Sequence, residues 1–151
     1  MLWNSMAALT LWLLVSPCAF SETLGTWPFD SRPSATVTLE TAATPDSGSA
    51  TAPKAADGRV MRLLVKFHDK DAKWVAGVQD VKLIAFMPQH QHGMLVKPQP
   101  SQRLGKDVFA IDGVQFHMQG EWTITIAARY QKTPSSPPEE FKSVFQIKLK
   151  P

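Results

Sequence analysis

Residues 59–151 predict an all-β fold, an antiparallel sandwich, and three observations carry the prediction. Apolar residues recur with a period of two in several short runs. Turn residues separate those runs at close spacing. No stretch shows a capped 3.6-residue period. Short strands joined by turns pack as two sheets around one core, and the pattern suggests a sandwich of immunoglobulin-like type. A length of 151 residues suits one domain.

The strands follow in order. Val60 to Asp69 places Met61, Leu63, Val65 and Phe67 on one face, against Arg62 and Lys66 on the other. His68 sits where that strand gives way to a turn and reads as a structural residue. Val78 to Phe86 alternates Val81, Leu83 and Ala85 with Asp80 and Lys82. A short strand at Asp107–Ile111 ends at Asp112-Gly113, a turn signal. Glu121 to Tyr130 sets Trp122, Ile124 and Ile126 against Thr123 and Thr125, which makes Trp122 a core residue. Phe141 to Lys150 sets Phe141, Phe145, Ile147 and Leu149 against Lys142, Gln146, Lys148 and Lys150.

The front of the chain reads differently. Ala7 to Val15 is an apolar run shorter than a bilayer span, Pro17 breaks it, and Ala19 and Ser21 fit a signal-peptidase site. Residues 1–21 are therefore expected to be a signal peptide, and the protein to be exported to the periplasm. Met1 to Met6 carries no Lys or Arg, so an uncleaved N-terminal membrane anchor is the alternative. Cys18, the only cysteine, lies inside that segment, and Pro17 stands where a lipid-attachment site has a small residue. The mature chain would hold no thiol and no disulfide and would depend on its apolar core. Residues 22–58 are expected to be a flexible N-terminal segment, with Gly25, Pro28 and Pro33 as breakers. One edge strand is expected at 34–41, and a small, polar linker over Ala42–Gly58. The compact domain is expected to span 59–151.

Sixteen Lys and Arg against thirteen Asp and Glu leave a formal charge of +3, spread along the chain. No basic arm occurs and the aromatics are not interleaved with Arg, which argues against a nucleic-acid partner.

Chemistry concentrates in two short segments, Met87-Pro88-Gln89-His90-Gln91-His92-Gly93-Met94 and Phe116-His117-Met118-Gln119-Gly120. Both lie at strand ends beside Pro or Gly. If 90–94 is extended, His90, His92 and Met94 project to one side. Met87 has the opposite parity and joins them only if Pro88 redirects the chain; otherwise it is core. His117 and Met118 are adjacent, so in a strand only one could face the site, with His117 preferred. Imidazole suits copper, zinc, nickel or iron, whereas neutral thioether is a soft ligand suited to copper, chiefly Cu(I). The candidate metal ligands are therefore His90, His92, Met94, His117, Met87 and Met118, and the expected ion is copper. The histidines would favour Cu(II) and the thioethers Cu(I). Without Cys a blue-copper centre cannot form, and without a carboxylate cluster calcium and magnesium are poorly served.

These residues carry a resemblance. V-x-L-x-A-F-M-P-x-H-x-H-G-M, a following Pro98, then D-G-V-x-F-H-M-x-G-x-W, over Asp80–Trp122, resembles the YtkA-like domain proteins, a FixH-related group. The resemblance implies a small secreted or membrane-anchored protein with an immunoglobulin-like sandwich, connected with copper delivery or with assembly of copper-containing oxidases. Carried over by position, it implies His90, His92, Met94 and His117 as the site, with Met87 and Met118 as further candidates. Gln91 stands where many members have Gly between the two histidines.

Three functions compete. The first is a non-catalytic copper carrier or assembly factor, with an envelope partner such as a copper-dependent oxidase or transporter. The second is a metal-independent interaction module of the cell envelope. The third is a zinc hydrolase built on His90, His92 and His117. It would need a carboxylate base, for which only Asp112 and Glu121 are close in sequence. No nucleophile elbow is present, and the chain is not expected to be an enzyme.

Overall fold

A computed structural model describes residues 21–43 and 54–150. The signal-peptide reading and most of the linker fall outside them. Among the described residues nine strands form two antiparallel sheets: β1 (Thr23–Phe29), β2 (Arg32–Ala42), β3 (Met61–His68), β4 (Val78–Met87), β5 (His92–Gly93), β6 (Gln102–Arg103), β7 (Val108–Val114), β8 (Gly120–Tyr130) and β9 (Glu139–Leu149). One sheet runs β1-β2-β3-β7-β6 and the other β5-β4-β8-β9. With β1 set aside, β2-β3-β7-β6 and β5-β4-β8-β9 reproduce the A-B-E-D and C′-C-F-G orders of an immunoglobulin-like sandwich.

The period-two pattern produces the core. Met61, Leu63, Val65 and Phe67 of β3 face Val81, Leu83, Ala85 and Met87 of β4 and Trp122, Ile124 and Ile126 of β8, all buried. Each of the larger of these side chains contributes about 1.5–3 kcal/mol by leaving water.

Four expectations need correction. First, the compact domain does not begin at Arg59. Residues 23–42 form β1 and β2, and β2 lies between β1 and β3 rather than at an edge. Gly25 and Pro28, which read as breakers, sit at register shifts in β1, the edge strand, where a missing N–H is tolerated. A side chain at Gly25 would run into the Trp27 ring, which stacks on Phe145 of the opposite sheet at 3.6 Å. Second, the described end of the linker is not free of buried groups. Residues 55–57 form a 3₁₀ turn with Ala55 buried, its amide donating to Glu22 Oε2 at 2.9 Å.

Third, Asp112-Gly113 does not end β7. Gly113 has φ 74°, and the register against β3 slips between Met61 and Leu63, so the pair forms a bulge inside the strand. Fourth, a helix, α1 (Ala72–Gly77), bridges β3 and β4. Asp71 caps it by accepting from the Lys73 and Trp74 amides. Six residues are too few for helical periodicity to be visible.

Candidate metal centre

Both histidine-bearing segments are loops at one end of the sandwich. The first joins β4 to β5 in a hairpin in which Met87 pairs with His92 and Phe86 with Gly93. It is therefore not extended over 90–94. Pro88–Gln91 make a turn, closed by the His90 amide donating to the Met87 carbonyl at 3.2 Å. Gln91 takes φ 53° there. Gly93 serves as a close approach instead, since a Cβ on it would lie 3.2 Å from the Ala85 carbonyl. The second segment is the irregular connection from β7 to β8, so the strand rule separating His117 from Met118 does not apply.

The fold brings the three imidazoles into a row. His90 and His92 rings are 5.8 Å apart and His92 and His117 rings 5.0 Å apart. Their floor is Trp122, fully buried, which meets His92 and His117 edge-on at 6.1 and 5.6 Å. Its indole N–H donates to the Met118 carbonyl at 3.0 Å and pins the second loop. The hydrogen bonds decide which nitrogens are free. His92 Nδ1 lies 3.0 Å from the Gly93 carbonyl, which can only accept, so in the neutral ring that nitrogen carries the proton and Nε2 keeps its lone pair. His117 Nδ1 is buried with no hydrogen-bond partner.

The thioethers divide. Met87 is wholly buried and belongs to the core; its methyl occupies the space that a Cβ on Gly120 would enter, 2.7 Å away. Its side chain follows the inward parity of β4, because Pro88 turns the chain only after it. Met94 is half-buried and packs against the core, and Met118 is exposed in the second loop. Gly120 has φ 123°, which favours glycine, and it is the residue whose role the motif alone did not reveal.

Among the described residues no three His, Cys, Asp or Glu side chains stand close enough to hold a metal ion as placed. The donor set is an imidazole pair, His92 and His117, with His90 on an exposed turn and Met118 exposed in the second loop. A bare Nε2 and a buried, unpartnered imidazole nitrogen fit a soft or borderline cation better than a hard one. Of the two carboxylates close in sequence to these segments, Asp112 is already engaged. Both oxygens of Asp112 accept from Arg62 at 2.7 Å, and this guanidinium holds its carboxyl below the usual aspartate range. A cleft at the opposite end, lined by Phe67, Val75, Arg103 and Asp107, contains none of the sequence-predicted residues.

The family model of the YtkA-like proteins matches residues 35–127. No curated protein and no solved structure matches the chain.

Proposed function

The chain belongs to the YtkA-like family, and from that premise we propose that it is an exported copper-binding protein of the cell envelope, a carrier or assembly factor without catalysis of its own. The observation that carries the reading is the 5.0 Å pair of His92 and His117, supplied by separate loops, one with Nε2 bare and the other with Nδ1 unpartnered. Copper is the cargo. His92 and His117 would hold it. His90 would add a third imidazole from its turn, and the exposed thioether of Met118 would retain the reduced ion. Met94, partly buried against the core, is a further thioether candidate, and Met87 contributes only packing. An open, incomplete ligand set on a surface loop suits handover, because an incoming ligand can displace one donor at a time.

The test is a titration of the purified protein against a competing chelator, anaerobically with Cu(I) and in air with Cu(II). Stoichiometric binding is expected, weakened more than about 100-fold by His92→Ala with His117→Ala and less by His90→Ala alone. Binding no tighter than that of a scrambled peptide, or untouched by the double substitution, defeats the proposal. The second reading, a metal-independent docking module, draws support from the open donor set and the exposed Met118 at the same end. It is favoured by a folded protein that ignores both copper ions.

A further inference from the structure

Two features coincide at the histidine end. β1 starts there, so the chain before Glu22 leaves from that end. Glu22 holds the Ala55 amide, and Gly58 lies against the Phe116–His117 backbone, its carbonyl accepting from Gln115 at 2.9 Å. The exposed large apolar side chains are also distributed unevenly. Of the eight among the described residues, Val60, Phe86, Leu95, Val96 and Met118 lie in or beside the loops of this end. Ile84 and Val144 lie along the outer sheet face, and Leu104 alone sits at the far end.

The length of the preceding chain links the two. Six residues separate Val15, the end of the apolar run, from Glu22, a span of seven Cα steps. Fully extended they reach at most about 25 Å. β2, with eleven residues, is roughly 35 Å long. A bilayer holding Ala7–Val15 is thus within reach of the histidine end, whereas the far end can approach it only if the sandwich lies flat. Lys54, Arg59, Lys97, Lys148 and Lys150 at this end outnumber Glu22, Asp57 and Glu121, so headgroup charge would add to the contact that the apolar side chains make.

We infer that the histidine end rests on a lipid bilayer, with Leu95, Val96 and Met118 in the interfacial layer and the imidazoles held at the membrane surface. The inference takes the apolar segment as an uncleaved anchor. It deepens the carrier reading by placing the cargo where a membrane-embedded recipient could take it, but the orientation itself needs no metal.

The experiment uses the full chain with Cys18→Ser, reconstituted in phosphatidylcholine vesicles that carry a quencher on the acyl chains. A fluorophore is attached at Leu95→Cys or at Leu104→Cys. The native leucines are 75% and 54% exposed, so neither substitution disturbs packing. The Leu95 label should be quenched at least about threefold more than the Leu104 label, a contrast that anionic lipid should deepen and salt should reduce only in part. Equal or reversed quenching overturns the inference. So does recovery from cells of a chain beginning after Ser21 that does not float with membranes. Titrating the same labelled chains with Cu(I) separates the two readings. Ordered quenching without copper binding defeats only the carrier, and copper binding with equal quenching defeats only the orientation.

Discussion

The two ends of the sandwich are closed by rings of different chemistry. At the far end Phe29, Phe67, Trp74, Tyr130 and Phe141 interlock at centroid separations of 5.4–6.2 Å. Arg32 covers Trp74 at 5.0 Å and pairs with Asp69 and Asp71 at the start of α1. At the other end Trp122 and Phe116 play the same packing part, but the rings laid over them are His92 and His117. Hydrocarbon rings would close that end at lower cost, because half-buried imidazoles bring nitrogen atoms that need partners. An orphan nitrogen alone is no sign of function, since Trp74 Nε1 is also buried without a partner. The difference is chemical: an indole N–H can only donate, whereas an imidazole nitrogen can hold a metal ion. The far end is organised for stability and the histidine end carries groups that packing does not require.

The largest effect should come from removing the floor of the histidine end. Trp122→Ala empties a fully buried site and frees the Met118 carbonyl, and should cost about 3–5 kcal/mol in chemical denaturation. A cost below about 1 kcal/mol would mean that this end is not closed by the indole and would break the parallel between the two ends. Gly120→Ala comes next, at about 2–3 kcal/mol, because it meets both a positive φ and the Met87 methyl. Adding Met87→Ala to that variant should relieve the steric part, and a double-mutant cycle measures the coupling. Strict additivity would show that the two residues do not lock the loops together.

The ion pairs give a smaller, pH-dependent effect. Arg62 lowers the Asp112 carboxyl against the opposing effect of burial. Burial is the largest single effect on Asp69 and raises it, but the Arg32 hydrogen bond and charge together with the Asp71 and Lys70 amides outweigh it. Folded values below the unfolded ones mean that this stability is in place above the ordinary aspartate range, about pH 4, and fades as acid carries the pH down through the lowered values. Asp112→Asn should remove about 1 kcal/mol at neutral pH, the pair being partly exposed, and should flatten the acid limb of a stability–pH curve. The smallest contrast compares the two indoles directly. Trp122→Phe loses a hydrogen bond and should cost about 1 kcal/mol more than Trp74→Phe, whose N–H has no partner to lose. Equal costs would erase the distinction.

Much of this was legible in the residues. β3, β4, β7, β8 and β9 were visible because one face of each is buried, and burial writes a period of two into the sequence; the two-residue β5 and β6 carry no such pattern. Trp122 as core and the two chemical segments at strand ends followed from the same alternation. β1 was obscured because Gly25 and Pro28 look like punctuation, yet an edge strand accepts them, and Pro33 hid only the start of β2, whose body was expected at 34–41. The Asp112-Gly113 pair misled for a related reason, since the positive φ that ends a strand also makes a bulge within one.

The sequence by itself determined the all-β architecture, the family and the supply of imidazole and thioether donors, all of which depend on residue type and local spacing. Tertiary structure alone decided which donors meet. His92 and His117 are 25 positions apart, and they come together because β4 and β8 are neighbours whose loops share one end. Met87 was withdrawn from the set by the same packing, since its methyl fills the space above Gly120. Contacts between segments distant in the chain are set by strand order and by the shape of the core, and neither is written in the spacing of any one motif.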